Sequence, residues 1–381
     1  MDDHSFKRAP RPSTISLGDL EAFGRGAALL GAGGGGDPYV GRLVLEHELS
    51  RGGQIEIVEL ASIADDAWVV PVCVMGAPTV MIEKAPSVDA FVLALRKLEE
   101  RLGKRADYLI PLEIGGINST VPLALSARLG LPVVNADGMG RAFPEIQMVT
   151  FGIGGNNISP IVVADEFGDV IEVTARSNLV GERLSRSAVA QMGGSAQVVL
   201  YPMSGLQAKR TAIPDTLRLA LDIGRAITIN SDEAPEDRLF AALGKLDRPR
   251  RGCVLFKGKV SDVQRETRGG FNFGTVRIER LRHSEDTLEI VFQNENLVAY
   301  HNGVPVALTP DIIAIVDSET AEPITTETLK FGQRVKVLGI TAPDLLVTPE
   351  AIKVVGPRAF GIDLDYAPLR IGGSPSIATG G

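Results

Sequence analysis

The sequence predicts an α/β protein with a three-layer α/β/α N-terminal domain, whose sheet is mainly parallel or mixed, and a C-terminal part that contains a small antiparallel β-barrel-like domain. Strand-like apolar segments alternate with amphipathic helical segments up to about residue 140, which is typical of a sheet covered by helices on both faces. From about residue 250 to 345, short alternating segments are separated by turn residues, a pattern typical of an antiparallel barrel or sandwich.

Helix and strand signals define the N-terminal elements. Ser16 can cap a helix that runs to Leu30, because Asp19 suits the third helical position and apolar residues recur along one face. Asp37 and Pro38 open a second helix, since Asp is a favoured cap and Pro belongs at the first helical position. The later elements are strands at 54–60, 68–75, 108–115 and 131–137 and helices at 86–103 and 118–130.

After Gly140 the pattern changes to shorter strands. Segments 148–155, 160–165 and 169–175 are separated by Gly, Asn and Asp turns, which predicts antiparallel strands at the edge of the same domain. A helix at 181–191, a strand at 196–203 and a helix at 214–227 follow. The predicted division is a mobile arm at 1–15, the α/β domain at 16–172, a C-terminal domain at 173–368 with the barrel-like module at about 250–345, and a tail at 369–381.

Composition favours a small-molecule ligand. The chain has 381 residues and a formal net charge of −8, which would repel nucleic acid and anionic membrane surfaces. Its most apolar stretch, at 68–82, is interrupted by Pro71 and Pro78 and is too short for a membrane span. The two cysteines, Cys73 and Cys253, form no disulfide framework or metal motif, so we expect a cytoplasmic protein.

The loop GAGGGGDP at 31–38 matches the G-x-G-x-x-G pattern of dinucleotide sites. Its lead-in is helical, however, and the Asp37 carboxylate would occupy the N–H groups that a pyrophosphate needs. We therefore expect no nucleotide cofactor. A tight turn between two helices and a close approach of a ligand to the backbone are both open explanations of the glycines.

Polar residues follow two neighbouring strands of the predicted sheet. Glu113 ends one buried strand, with Asn118 at the start of the next helix, and Asn135 and Asp137 end the following strand, shortly before Arg141. Ligands of open α/β sheets bind outside the carboxyl ends of the strands, so these two loops should meet at one crevice. The alternative role is structural: Asp137 can brace Arg141, and Glu113 can accept from backbone N–H groups.

Three further features bear on the chemistry. Asn156, in the loop GIGGNNISP at 152–160, offers an amide that suits a neutral heterocycle, although a plain hairpin turn is the alternative. No histidine-based metal site is evident, but oxygen ligands from Asp37, Glu113, Asp137 or Glu145 can form one. Cys73 lies in an apolar strand, which predicts an inert core thiol rather than a nucleophile.

Several motifs together resemble the S-methyl-thiohydantoin desulfurase family, a bacterial and archaeal family once catalogued as a domain of unknown function. They are GAGGGGDPYVGR, VMGAPTV, LEIGGINS, NADGMGRAFPE, NNISP, TPDIIAIVDSETAEPITTETLKFGQRVKVLGI and GPRAFGIDLDYAP. The likeness covers roughly residues 16–368. It implies an α/β N-terminal domain, a C-terminal part with a β-barrel-like module, and association with hydantoinase and oxoprolinase proteins.

The resemblance also implies an activity: hydrolytic removal of sulfur, as hydrogen sulfide or methanethiol, from a thiohydantoin or S-methyl-thiohydantoin ring to give a hydantoin. Water can add to the ring carbon between the two nitrogens if a carboxylate removes a proton. Asp137 or Glu113 is the candidate base, and Asp37 is the candidate to hold a ring N–H or a metal. The residues expected to bind the ring are Gly33, Gly34, Gly35, Gly36, Asn118, Asn135, Arg141 and Asn156.

The sequence also permits other mechanisms and functions. A bound divalent metal is another source of activated water. The protein can instead be a non-catalytic subunit that binds a cyclic ureide or thioureide, or that docks through its barrel on a hydantoinase/oxoprolinase-type partner. A nucleotide-binding oxidoreductase is a third and weaker hypothesis. We expect a homo-oligomer with no nucleic-acid or membrane partner.

Overall fold

The computed structural model describes residues 14–36, 38–76, 80, 83–229 and 231–371. Ten strands precede residue 215, and eight of them form one sheet. The ten strands are β1 (Ile57–Val58), β2 (Trp68–Gly76), β3 (Tyr108–Pro111), β4 (Val133–Val134), β5 (Ala136–Asp137), β6 (Ile161–Ala164), β7 (Val170–Val173), β8 (Ser195–Val199), β9 (Met203–Ser204) and β10 (Ile213–Pro214).

The large N-terminal sheet is mixed, as the sequence predicts. Its order is β1-β4-β3-β2-β8-β6-β7, with β9 beside the start of β2. The first four strands are parallel, whereas β8, β6 and β7 are antiparallel to their neighbours. β5 and β10 form a separate antiparallel pair, in which Asp137 lies opposite Ile213.

Helices cover both faces of this sheet. Alternation along β2 sends Val70 and Val72 into one apolar core and Cys73 and Met75 into the other. Both faces of the strand are therefore buried, which explains its continuous apolar sequence. The helices of the described chain are α1 (Leu20–Leu30), α2 (Pro38–Ser50), α3 (Val88–Leu102), α4 (Val121–Leu129), α5 (Thr150–Ile153), α6 (Asn178–Gln191), α7 (Gly205–Thr211), α8 (Thr216–Thr228), α9 (Pro235–Leu243) and α10 (Pro349–Val355).

Local sequence signals fix most of the helix ends. The Ser87 side chain accepts from the Ala90 N–H at the start of α3. Gly103 and Gly130 end α3 and α4 in the left-handed conformation, which glycine adopts without steric cost. No helix within the described ranges is long and apolar enough for a membrane crossing.

The C-terminal strands form a single antiparallel sheet that curls into a half-barrel. Its order is β15-β14-β13-β12-β11-β17-β16. The curl brings β14 beside β16, where the Asn296 side-chain amide donates to the Ile313 carbonyl at 2.8 Å. The strands are β11 (Gly252–Arg268), β12 (Phe271–Arg280), β13 (His283–Gln293), β14 (Glu295–His301), β15 (Val304–Leu308), β16 (Ile312–Asp317) and β17 (Arg334–Ile340).

One strand prediction is wrong. Segment 148–155 contains the short helix α5 rather than a strand. The Thr150 N–H donates to the Gly138 carbonyl at 2.7 Å, and the Gly154 N–H donates back to the Thr150 carbonyl at 2.8 Å, which closes a helical turn. The apolar pattern of this segment reflects the burial of Phe151, not pairing in a sheet.

Candidate functional site

A narrow cavity lies at the carboxyl ends of β2 and β3, where the N-terminal sheet meets the chain reversal between β13 and β14. Its volume is about 50 Å³. Apolar side chains and the backbone of the glycine loop (residues 31–36) form much of the wall. The polar side chains on the wall are Cys73, Glu113, Asn118, Arg186, Asn294 and Glu295. Both halves of the chain therefore contribute to this strand-end cavity.

Glu113 follows β3 and is only 5 % exposed. Burial raises the pKa of its carboxyl to about 8, although hydrogen bonds from Asn118 and Phe143 favour the ionised form. The negative charge of Asp137 raises the pKa further, and the positive charge of Arg141 lowers it. A carboxyl with this pKa can accept and release a proton close to neutral pH.

Asn118 holds Glu113 against the end of β2. Its Nδ2 donates to Glu113 Oε1 at 2.6 Å, and its Oδ1 accepts from the Val74 N–H at 2.7 Å. The second carboxylate oxygen of Glu113 accepts from the Phe143 N–H at 3.3 Å. Two neighbouring strand ends are therefore tied together through this one amide, as the carboxyl-end rule for α/β sheets led us to expect.

Glu295 is the second carboxyl on the cavity wall, and sequence reasoning missed it. It is the first residue of β14 and is 2 % exposed, and its Oε2 has no hydrogen-bond partner among the described residues. Burial raises the pKa of its carboxyl well above the usual range, and the charge of Glu113 raises it further. The available signal was an acid placed two residues before the apolar run LVAY in the strand-rich half.

A tight chain reversal at Asn294 places the Glu295 side chain on the cavity wall. Asn294 adopts a left-handed φ of 57°, and its N–H donates to the Asn272 carbonyl at 2.8 Å. The Asn272 N–H donates to Asn294 Oδ1, also at 2.8 Å. The Asn294 carbonyl accepts from Thr326 Oγ1 at 2.8 Å. These bonds fix the backbone that carries the Glu295 side chain.

The first part of the glycine loop packs against the C-terminal half. The Ala32 carbonyl accepts from the Asn296 N–H, and the Gly33 carbonyl accepts from the Thr326 N–H, both at 2.8 Å. A Cβ at Gly33 would lie 2.8 Å from the Asn296 side-chain nitrogen. At Gly33 the close approach is therefore made by another part of the same chain, and the predicted contact of this glycine with a ligand stays a prediction.

The second part of the loop reaches the cavity. A Cβ at Gly34 would lie 2.2 Å from Glu295 Oε1, so only glycine leaves room for that carboxyl. Gly35 and Gly36 both have positive φ and line the cavity. Asp37, the next predicted site residue, lies outside the described residues, and its role stays a prediction.

Asp137 does not line the strand-end cavity. Its Oδ2 accepts from the N–H groups of Ile114, Met139 and Gly140 at 2.9, 3.0 and 2.8 Å, and burial raises the pKa of the carboxyl to about 7. The carboxyl therefore braces the backbone directly after Glu113. The role of Asp137 as the base stays a prediction, because its side chain does not reach the cavity wall.

Arg141 is fully buried between the two halves of the chain. Its guanidinium donates to the carbonyls of Asp311 and Asn296 at 2.8 and 3.0 Å and stacks on the Phe143 ring at 4.8 Å. Its side chain is thus occupied by main-chain carbonyls rather than by Asp137, the partner considered from the sequence. Arg141 is absent from the cavity wall, so its predicted ligand contact stays untested.

The other two predicted amides also lie away from the cavity. Asn135 donates to Asp215 Oδ1 at 3.0 Å and accepts from the Arg218 N–H at 3.2 Å, which joins β4 to the start of α8. Asn156 donates to Thr211 Oγ1 at 3.2 Å, in the contact between its loop and α7. Both amides have structural partners, and their predicted binding roles stay predictions.

Cys73 and Arg186 complete the polar wall. Burial raises the pKa of the Cys73 thiol well above its usual range, which keeps the thiol protonated and agrees with the predicted inert role. Arg186 donates to the Pro144 carbonyl at 3.0 Å and lies over the Phe271 ring at 4.6 Å. Among residues 14–36, 38–76, 80, 83–229 and 231–371, no group of three or more His, Cys, Asp or Glu side chains is arranged to hold a metal ion.

The fold and the cavity define a class: a mixed α/β unit joined to an antiparallel half-barrel, with a small cavity at their junction whose described wall residues include two carboxyls. Comparison with protein families identifies it further. The S-Me-THD-like N-terminal domain matches residues 18–175, and the S-Me-THD-like C-terminal domain matches residues 176–369. The chain therefore belongs to the S-Me-THD-like family, as its motifs predicted.

A solved structure has the same fold. The X-ray crystal structure of a protein from Chromobacterium violaceum superposes with a TM-score of 0.78 at 24 % sequence identity. The match covers 94 % of this chain and 100 % of that chain. A search of curated proteins found no match.

Proposed function

We propose that this protein is a hydrolytic desulfurase that converts an S-methyl-thiohydantoin, or a thiohydantoin, into a hydantoin. Membership of the S-Me-THD-like family supports the compound class. The observation that carries the reaction type is the buried Glu113 carboxyl, with a pKa raised to about 8, held by Asn118 on the wall of a narrow cavity. Such a carboxylate is suited to remove a proton from water.

The reaction needs one water and no redox partner. The ring carbon of an S-methyl-thiohydantoin is bonded to sulfur and lies between two nitrogens. Water adds to this carbon while the Glu113 carboxylate takes one of its protons. The carbon–sulfur bond then breaks and the sulfur leaves with a proton as methanethiol. The remaining hydroxyl proton moves to the ring nitrogen, so the ring retains the oxygen as a carbonyl. A thiohydantoin reacts with water in the same way, except that both water protons leave on the sulfur as hydrogen sulfide.

The dimensions of the cavity favour a compact ring. A volume of about 50 Å³ holds a few water positions and little more. A ligand must therefore displace these waters and widen the walls, which disfavours substrates with large groups at the reacting carbon. The backbones of Gly35 and Gly36 carry no side chain, so a flat ring can lie against them.

A thiol-release assay tests this proposal. Purified full-length protein is incubated with a panel of S-methyl-thiohydantoins and thiohydantoins, and a thiol-detecting dye measures the product. We expect release by the wild type and a loss of about 100-fold or more in Glu113→Gln. Glu327→Gln is the matched control, because burial also raises the pKa of Glu327 but that residue does not line the cavity.

The same assay, repeated with and without added divalent metal, separates two mechanisms. Activity that survives a strong chelator favours the carboxylate base, whereas activity restored by added metal favours metal-bound water. The accessory-subunit hypothesis predicts no thiol release under either condition. Docking on a hydantoinase/oxoprolinase-type partner and a homo-oligomeric state stay predictions that this assay does not address.

A further inference from the structure

We infer that Glu295, contributed by the half-barrel, is the general acid that delivers a proton to the leaving sulfur. This assignment rests on the proposed desulfurase function. Glu113 and Glu295 line the same cavity of about 50 Å³, one from the end of β3 and the other from the start of β14. A substrate ring that displaces the water of this cavity meets a wall that carries both carboxyls.

The hydrogen bonds around the two carboxyls indicate which of them carries a proton. Glu113 accepts from Asn118 Nδ2 and from the Phe143 N–H, and both donors stabilise a carboxylate. In the described chain, Oε2 of Glu295 has no such donor. The Glu295 N–H and the charge of Arg141 favour an ionised Glu295, but burial and the charge of Glu113 outweigh them. Two carboxyls that share a buried site do not both ionise readily, so the proton stays on Glu295. Glu113 is therefore the carboxyl that ionises first, and Glu295 is the one that keeps its proton in the reactive state.

The surrounding backbone keeps Glu295 in this position. A Cβ at Gly34 would lie 2.2 Å from Glu295 Oε1, so the loop packs directly on the carboxyl. The chain reversal at Asn294, fixed by its hydrogen bond with Asn272, holds the backbone that precedes Glu295. Each half of the chain thus contributes one carboxyl of the pair, and the pair forms where the two halves pack together.

The proton balance follows directly. The Glu113 carboxylate removes a proton from the attacking water as the carbon–oxygen bond forms. Glu295 gives its proton to the sulfur as the carbon–sulfur bond breaks, so methanethiol leaves as a neutral thiol. The second proton of the water passes from the new hydroxyl to the ring nitrogen, which gives the hydantoin. Transfer of a proton from Glu113 back to Glu295, directly or through a cavity water, restores the starting state. No further reactant is required.

The dependence of the rate on the leaving group tests the assignment. Full-length wild type, Glu295→Gln and Glu113→Gln are assayed with an S-methyl-thiohydantoin and with an S-trifluoroethyl analogue, whose substituent is small and whose thiolate leaves with little need of protonation. We expect Glu295→Gln to lower kcat/KM by about 100-fold or more for the S-methyl substrate and by less than about 5-fold for the trifluoroethyl analogue. Glu113→Gln should lower both rates strongly.

A purely structural role predicts a different result. If Glu295→Gln lowers both rates equally, or lowers neither, the assignment is overturned. Gly34→Ala provides an independent check, because it leaves the Glu295 carboxyl present but displaces it, and we expect the same selective loss for the S-methyl substrate. Glu327→Gln should keep both rates within about 2-fold of the wild type, since that residue is off the wall.

A spectroscopic readout separates this assignment from the proposed function. Infrared difference spectra at about pH 9, above the pKa values of about 8 and 7 for Glu113 and Asp137, should show a protonated carboxyl component in the wild type that Glu295→Gln loses and Glu327→Gln keeps. If Glu295→Gln leaves the band unchanged, the assignment fails whatever the activity. If the band behaves as expected but the wild type releases neither thiol, the desulfurase proposal fails and the assignment of an acid for it fails too.

Discussion

Asn118 Nδ2 lies 2.6 Å from Glu113 Oε1, while Asn118 Oδ1 accepts from the Val74 N–H at 2.7 Å. The Asn118 amide thereby connects the Glu113 carboxyl, just after β3, to the backbone near the end of β2. Because Asn118 donates to the carboxylate form, it opposes the effect of burial on the pKa of Glu113. The reactivity of Glu113 in the proposed reaction therefore depends on this hydrogen bond.

Asn118→Asp tests that dependence. Aspartate keeps an acceptor for the Val74 N–H but removes the donor to Glu113 and adds a like charge. Both changes raise the pKa of Glu113, so we expect kcat/KM at neutral pH to fall by about 10-fold or more and its pH midpoint to move upward. The matched control is Asn157→Asp on an exposed loop. An unchanged midpoint in Asn118→Asp would show that the amide does not tune Glu113.

The pH dependence of kcat/KM reports the ionisation of the group that acts as the base. If the Glu113 carboxylate removes the proton from water, kcat/KM should rise with pH and level off above about 8, the pKa of this carboxyl in the folded protein. Measurement of thiol release across neutral and alkaline pH checks this. A rate that is flat from pH 5 to pH 9, with pH-independent substrate affinity, contradicts an essential base of this kind.

Protein stability should fall as the pH rises through the neutral range. The folded-state pKa values of Glu113 and Asp137, about 8 and 7, lie above the ordinary values of 4.5 and 3.8. The native state therefore binds more protons than the unfolded chain between these values. The stabilisation is fully present below about pH 4, declines as the pH rises, and is lost once the pH has passed 7 to 8. Each group contributes a slope of up to about 1.4 kcal/mol per pH unit.

Denaturant unfolding at a series of pH values measures this slope. Glu113→Gln cannot titrate at that position, so its stability should decline less steeply between pH 5 and 8 than that of the wild type. The comparison isolates the contribution of Glu113 from the acidic groups elsewhere in the chain. Parallel stability curves for the two proteins would mean that the pKa of Glu113 is not raised on folding.

Arg141 should stabilise the junction between the two halves. Replacement by Met removes donors to the carbonyls of Asp311 and Asn296 and leaves these buried acceptors unpaired. We expect a loss of about 3 kcal/mol or more in the free energy of unfolding. Arg101→Met is the control, because the Arg101 side chain is 59 % exposed and pairs with Glu172 at 3.9 Å, and it should change stability by less than about 1 kcal/mol. Equal losses in the two variants would contradict the role of Arg141.

The sequence predicted the parts of the site that depend on local pattern. Glu113 and Asn118 follow from the rule that ligands bind at the carboxyl ends of parallel strands, and the structure brings both to one cavity. The same rule led to Asp137 and Arg141, but it cannot distinguish a side chain on the cavity wall from one that braces the loop behind it. Those two side chains are occupied by backbone groups.

Glu295 was not predictable from these local patterns. Its position depends on how the half-barrel packs against the glycine loop, a contact between distant parts of the sequence. The short helix α5 was missed for a related reason, since the hydrogen bond from Thr150 to Gly138 that favours it links separate segments. Strand and helix signals fix the elements, whereas the tertiary packing decides which polar residues meet.

The most direct test follows oxygen and sulfur together. Wild-type protein is incubated with an S-methyl-thiohydantoin in heavy-oxygen water, and mass spectrometry measures methanethiol and the hydantoin. We expect equal amounts of both products, one solvent oxygen in each hydantoin, and a loss of both signals in Glu113→Gln but not in Glu327→Gln. Methanethiol without solvent oxygen in the ring, or full activity of Glu113→Gln, would contradict hydrolytic desulfurisation at this cavity.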